Sequence, residues 1–349
     1  MIAIRALLFP FSILYDLLTR FRNHLFDIGR KKSFRFDVMV ISVGNLNVGG
    51  SGKTPMIEYL IKLLSAQHKI ATLSRGYGRK SMGLRFAAET DSADTIGDEP
   101  YQYFRKFGSD VTIAVGEDRV FAIPHILQLH PAPDVILLDD AFQHRSVASQ
   151  LSILVTDYTS PFYEDFTLPS GNLREARIGA KRSDIVAVTK CPLETSLEKL
   201  DNVEKAIRRY APGVPVFFTG LQYGNPVAFG SETRLSSEVV LVTGIANSRP
   251  MQEYIASRFT ILRHFTFRDH HRYSVTEVQA IQDFCRRMEK PVSIITTEKD
   301  MVKLIDSQFK AAISSAPWFY LPVWISFLKN GSDFDRLVHH AIEMNKPGI

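Results

Sequence analysis

The run VGNLNVGGSGKTPMIEYL, residues 43–60, holds the residue types best suited to gripping a phosphate. Gly49, Gly50 and Gly52, with Ser51 among them, let the backbone curl close to an anion so that its N–H groups face inward. Lys53 can reach the outer phosphates of a nucleotide, and the Thr54 hydroxyl is a hard oxygen ligand for Mg²⁺. The strict spacing G-x-x-x-x-G-K-[ST] would put glycine at position 47, where Asn47 stands. That change alters the approach to the loop and leaves the cradle intact. The plain alternative is a glycine-rich turn followed by an incidental Lys-Thr, but an apolar strand before it and an amphipathic helix after it argue for phosphate.

A second cluster, DVILLDDAFQHR, ends an apolar run in Asp139-Asp140. Carboxylates at the carboxyl edge of a sheet, beside a phosphate loop, suit the magnesium of a nucleotide. Alone, such a pair would more simply cap a helix. A GTPase reading is weak. No Asp-x-x-G follows, and Thr189-Lys190 runs into Cys191-Pro192 without the aspartate of a guanine reader. Partition-type ATPases carry lysine where Val48 stands.

The elements that must position these residues are short apolar runs alternating with helical segments. Strand expectations are 38–43, 69–74, 111–115, 134–139, 151–156 and 184–189, apolar on both faces as buried parallel strands are. Met56, Tyr59, Leu60, Leu63 and Leu64 mark a helix between the first two. Strand, helix, strand with a crossover predicts an α/β fold: a P-loop-type doubly wound parallel sheet. A Gly-, Ser- and Asn-rich stretch at 220–236 precedes a second α/β series, with strands at 239–244 and 292–297 and a helix at 333–344. The expected division is an N-terminal helix over 1–35, a kinase-type domain over 36–225 and a smaller α/β domain over 226–349 that closes over the site.

The net charge of +5 sits at one end. Residues 1–35 carry seven Lys/Arg against Asp16 and Asp27, which is the whole surplus, so a broad nucleic-acid footprint is excluded. Two distant cysteines exclude a disulfide or C-x-x-C metal framework. Arg5, Pro10 and Asp16 interrupt the N-terminal apolar run, leaving nothing long enough to span a bilayer. Phe11, Leu14, Tyr15, Leu18, Phe21 and Leu25 share one helical face. Such a helix suits either a membrane interface with anionic headgroups or packing against the protein body.

GNLNVGGSGKTP, LSRGYGRK, GDEP, LLDDAFQHR, LPSGNLREA, FRDHHRYS and TTEKD follow one another in that order, and together they resemble the tetraacyldisaccharide 4′-kinase (lipid A 4′-kinase) family. The resemblance runs from about residue 40 to residue 303. It implies ATP with Mg²⁺, and transfer of the γ-phosphoryl group to the 4′-hydroxyl of a tetraacyl glucosamine disaccharide 1-phosphate. It implies a protein working at the cytoplasmic face of the bacterial inner membrane, held there by its N-terminal helix. It also implies that Asp98 is the general base, where the residues alone equally allow a helix start before Glu99-Pro100. Asp269-His270-His271 matches a second catalytic segment; His270 is the favoured partner for Asp98, expected to reach it after the lobes close. His144 and Glu175 would lie near the metal and γ-phosphate, although a surface histidine and a salt-bridge partner are their plain readings. Arg75 and Arg119 would contact substrate phosphate, or be exposed structural arginines. The competing function is a nucleotide-switched binding protein, which predicts nucleotide-dependent partner binding and no lipid product.

Overall fold

The computed structural model describes residues 2–231 and 234–345; Met1, Glu232, Thr233 and residues 346–349, which the expected domains included, lie outside the described residues. The described chain forms two compact units. The first gathers the described residues within 1–75, 110–221 and 325–349, and the second those within 76–109 and 222–324.

In the first unit, strand Met39–Gly44 is central, paired in parallel with Val135–Asp139 on one side and Leu151–Asp157 on the other. Ile70–Ser74 and Val111–Val115 continue the sheet beyond Val135–Asp139, while Ile185–Thr189 and Val216–Tyr223 continue it beyond Leu151–Asp157. Every residue of Met39–Gly44, Ile70–Ser74, Val135–Asp139 and Ile185–Thr189 is buried, as a sheet covered on both faces requires. The register Val43↔Asp139 sets the carboxylate pair at the same sheet edge as the phosphate loop. All six expected strands of this sheet are present within a residue or so of their expected ends.

Two allocations differ from the sequence expectation. The helix expected at 333–344 spans Gly331–Met344 and belongs to the first unit. Its Phe334 packs edge-on against Tyr59 at 5.9 Å and Phe217 at 5.3 Å, and Tyr59 donates to Asp335 at 2.7 Å. Residues 76–109, expected with the phosphate loop, belong to the second unit because helix Asp98–Phe107 lies on helix Glu298–Leu304, with Lys106 paired to Glu298 at 2.9 Å. The boundary expected near residue 225 falls close to the crossing at Leu221/Gln222; the other crossings are tertiary choices. The Gly-, Ser- and Asn-rich stretch from 220 begins inside strand Val216–Tyr223.

The second unit is built on a five-stranded sheet in the order Thr260–Thr266, Glu238–Thr243, Ser293–Thr297, Trp318–Leu321, Val227–Ala228. The first four strands are parallel, and Val227–Ala228 is antiparallel. Trp318, Phe309 and Ile294 are fully buried in its core.

Helix Ile2–Asp27 docks on the first unit through polar groups. Buried Ser12 accepts from Ser170 N at 2.9 Å, Tyr15 donates to the Arg174 carbonyl at 3.0 Å, and Asn23 donates to Glu175 at 2.6 Å. Leu7, Phe11, Leu14, Leu18 and Phe21 face away, each at least 58% exposed. Among the described residues no helix is long and apolar enough to cross a membrane.

Candidate active site

The phosphate loop links strand Met39–Gly44 to helix Lys53–Leu64. Gly52 takes φ +85°, and a Cβ there would press to 2.9 Å from Thr189 Oγ1, so both backbone and space demand glycine. Gly49, at φ +101°, has open space around it. The Thr189 hydroxyl donates to the Ser51 carbonyl at 2.6 Å, and Lys190, in the left-handed region at φ 56°, contacts the Gly50 carbonyl and pairs with Asp157 at 2.7 Å. The Thr189-Lys190 pair, set aside as a base reader, braces the loop. Asn47 is buried and bridges antiparallel to Leu173, so the segment LPSGNLREA pairs along the approach to the loop. The residue that breaks the strict phosphate-loop spacing thus has an edge-pairing role of its own.

At the lip of the loop, Lys53 Nζ donates to Asn45 Oδ1 at 3.1 Å and lies 3.5 Å from Asp140. Arg174 grips Asp140 with both terminal guanidinium nitrogens, at 3.0 and 2.9 Å, and also donates to Asn45 at 2.9 Å. Burial pushes the Asp140 carboxyl up, but Lys53 and Arg174 outweigh it and hold it below the usual carboxylate range. Asp140 sits at φ 50°, a left-handed conformation costly for a residue other than glycine and typical of functional turns. Buried Asp139 offers its carbonyl to Arg119 at 3.1 Å. Arg119 is itself buried, and its other nitrogen lies 3.4 Å from His144 Nδ1. Burial, reinforced by Arg119, lowers the His144 pKa to about 4, so His144 is neutral at physiological pH. Arg75 is exposed just past strand Ile70–Ser74.

These residues fit a magnesium nucleotide. Thr54, Asp139 and Asp140 are hard oxygen donors, and the Ser51 hydroxyl is buried with no protein partner, as a group turned toward a ligand would be. Among the described residues no cluster of three or more His, Cys, Asp or Glu forms a complete metal cage. Mg²⁺ is ordinarily held by one or two carboxylates together with substrate phosphates, so none is needed.

Glu175 is placed differently from the other expected residues. Its buried carboxylate accepts from Arg182 at 2.8 Å, Gln143 at 3.1 Å and Asn23 at 2.6 Å, tying the N-terminal helix to the body.

In the second unit, Asp98 is the first residue of helix Asp98–Phe107. His270 follows strand Thr260–Thr266 and adopts φ 56°, which turns its ring toward that helix. His270 Nδ1 lies 3.1 Å from Asp98 Oδ2. Both residues belong to one compact unit, so their contact needs no movement of one unit toward the other. His271 turns elsewhere: its Nε2 pairs with Glu277 at 3.1 Å, and its ring stacks on Phe267 at 4.5 Å. Lys299 Nζ stands 3.1 Å from Asp269, from Glu99 and from His270 Nε2. Sequence reasoning missed Arg174, Asn45 and Lys299 as site members. Arg174 and Lys299 lie inside the motifs LPSGNLREA and TTEKD, and Asn45 inside GNLNVGGSGKTP, so the signal was there without a contact to assign it.

Comparison with known proteins shows the family. The family profile described as tetraacyldisaccharide-1-P 4′-kinase matches residues 4–343. A protein named tetraacyldisaccharide 4′-kinase from Flavobacterium johnsoniae is 42% identical over 98% of this chain and 98% of its own length. One of the same name from Cytophaga hutchinsonii is 41% identical over 93% of this chain and 92% of its own. The crystal structure of the "apo" form of LpxK from Aquifex aeolicus, in complex with ATP, matches with a TM-score of 0.75 and 28% identity, covering 97% of this chain and 99% of that one.

Proposed function

We propose how particular residues divide the work, from the premise that this chain belongs to the tetraacyldisaccharide-1-P 4′-kinase family. The chain is an ATP-dependent phosphotransferase acting on a hydroxyl group. Its reaction is transfer of the γ-phosphoryl group of ATP to the 4′-hydroxyl of a tetraacyl glucosamine disaccharide 1-phosphate, a step in making lipid A.

Gly49, Gly50, Ser51 and Gly52 bind the phosphates through backbone N–H groups, and Lys53 neutralises charge on the outer phosphates. Thr54, Asp139 and Asp140 would hold Mg²⁺, which when bound offsets the negative charge of the phosphates. Asp98 takes the proton from the acceptor hydroxyl as that oxygen bonds to the γ-phosphorus and the bond to ADP breaks. His270, donating to Asp98 from Nδ1, orients the carboxylate. Arg119 and Arg75 meet substrate phosphate, with neutral His144 setting the Arg119 side chain; Asp269 and His271 fix the loop that carries His270. The observation that carries the base assignment is the 3.1 Å contact between Asp98 and His270.

The substrate's acyl chains stay in a bilayer, so the enzyme works at its surface, on the cytoplasmic side of the inner membrane where ATP is present. The exposed apolar face of helix Ile2–Asp27, with Arg20, Arg22, Arg30, Lys31 and Lys32 along or just beyond it, supports an interfacial anchor. The test uses γ-labelled ATP and the disaccharide lipid, presented in anionic vesicles or in detergent micelles. Label should appear in the lipid in both. The combined variant Phe11→Ser, Leu14→Ser and Leu18→Ser should lose activity on vesicles and keep it in micelles. No labelled lipid in either would overturn the kinase reading, and equal loss in both would overturn the anchor.

A further inference from the structure

His270 stands between two groups of opposite character. Asp98 Oδ2, a hydrogen-bond acceptor when ionised, lies 3.1 Å from Nδ1. Lys299 Nζ, which has only protons to offer, lies 3.1 Å from Nε2. One protonation pattern satisfies both contacts: Nδ1 carries the proton and donates it to Asp98, and Nε2 accepts from Lys299. The opposite tautomer would set two lone pairs against each other at Asp98 and two donors against each other at Lys299. The doubly protonated ring would face the ammonium with a second N–H.

The remaining charges around the ring explain why Lys299 is needed. From helix Asp98–Phe107 come Asp98 and Glu99, the latter 3.7 Å from Nε2. From the histidine's own loop comes Asp269, 3.9 Å from Nε2. From helix Glu298–Leu304 come Lys299 and Lys303; Lys303 pairs with Asp300 at 2.7 Å and is 3.9 Å from Asp98. The Tyr77 ring lies 5.1 Å from the imidazole; Arg272 turns to the Gly78 carbonyl, and His271 is paired with Glu277. Three carboxylates therefore surround one imidazole. Without Lys299, Nε2 would face the Glu99 and Asp269 carboxylates, which accept protons and, ionised, offer none. Lys299 bridges Glu99 and Asp269 while covering Nε2. Burial works against its charge, but Glu99 and Asp269 outweigh that and raise its pKa, so it stays protonated.

We infer that Lys299 is a positioning residue for phosphoryl transfer: it keeps His270 neutral with its proton on Nδ1, so that Asp98 meets a neutral donor instead of an imidazolium. A carboxylate paired to an imidazolium would be a weaker proton acceptor, and turnover would fall. The inference deepens the reading of Asp98 as the base and rests on it for its kinetic consequence only.

The test labels the histidine rings of the full-length, detergent-solubilised protein with nitrogen-15, with His270 assigned by comparison with His270→Gln. In the unsubstituted protein near neutral pH, the ring should show the neutral, Nδ1-protonated signature. Lys299→Met should convert it to the imidazolium signature, and Lys299→Arg should restore the neutral one. Turnover of Lys299→Met should drop by about tenfold or more, with the KM for ATP unchanged. Should Lys299→Met fail to fold, Lys299→Ala with and without added methylammonium gives the same comparison. An imidazolium in the unsubstituted protein, or an unchanged neutral ring in Lys299→Met, would overturn the inference. A ring that changes as expected while turnover does not would keep Lys299 as the group that sets the His270 proton and overturn its part in phosphoryl transfer.

Discussion

Asp140 and Asp98 are both acidic residues set among cations, yet their surroundings differ in kind. Asp140 is gripped by two nitrogens of Arg174 at about hydrogen-bond length and by Lys53 at 3.5 Å. Asp98 touches an imidazole at 3.1 Å, while the nearby cations are engaged elsewhere: Lys303 with Asp300, and Lys299 with Glu99 and Asp269. A carboxylate clamped by two cations keeps its charge and serves as an anchor for other positive charge. One that meets an imidazole, with Lys303 3.9 Å away and paired to Asp300, has no such clamp. The same residue type is clamped by cations in one unit and, on the proposed reading, set to take a proton in the other.

The widest separation between the two should appear on removing each carboxylate. Asp98→Asn is expected to lower kcat by about 10²–10⁴ while leaving ATP affinity, measured by calorimetry, unchanged. Asp140→Asn should instead weaken Mg²⁺-dependent ATP binding. Equal effects of both on ATP affinity would erase the distinction. A smaller effect is expected from Arg174→Lys, which keeps the charge and loses the two-pronged grip on Asp140. Kinetic assays should show kcat/KM down by roughly tenfold, the order of one charge-assisted hydrogen bond. Full activity would mean that charge alone holds Asp140.

The smallest effect concerns His144, beside Arg119 in the first unit. Its folded pKa is lowered to about 4, against an ordinary 6.5, so unfolding takes up a proton between those values. Its contribution is complete above about pH 6.5 and is lost as pH falls toward 4. His144→Gln should flatten the pH dependence of the urea midpoint in that window by about 1–2 kcal/mol, after allowance for partial exposure. An unchanged slope would show that His144 is not held neutral by its surroundings.

The phosphate-loop half of the site was legible because it is local. Strand, glycine turn and helix are contiguous, and the spacing from Gly49 to Thr54 carries the chemistry by itself. Asp139-Asp140 needed only one inference, that an apolar run ending in acids marks a sheet edge. Glu175 shows the limit: its type and motif fit a metal site, whereas its burial beneath Asn23, Gln143 and Arg182 makes it a brace for the N-terminal helix.

By itself the sequence determined the parallel sheet, the phosphate loop and the amphipathic first helix, because periodicity and glycine spacing act over a few residues. Only the tertiary structure decided that residues 76–109 join the second unit, that His270 and not His271 meets Asp98, and that Arg174 stands at Asp140 and Lys299 at His270. Those outcomes depend on which distant segments bury their apolar faces together: helix Asp98–Phe107 on Glu298–Leu304, Phe334 against Tyr59 and Phe217. No spacing along the chain encodes that choice, since it is settled by shape and burial between segments far apart in sequence.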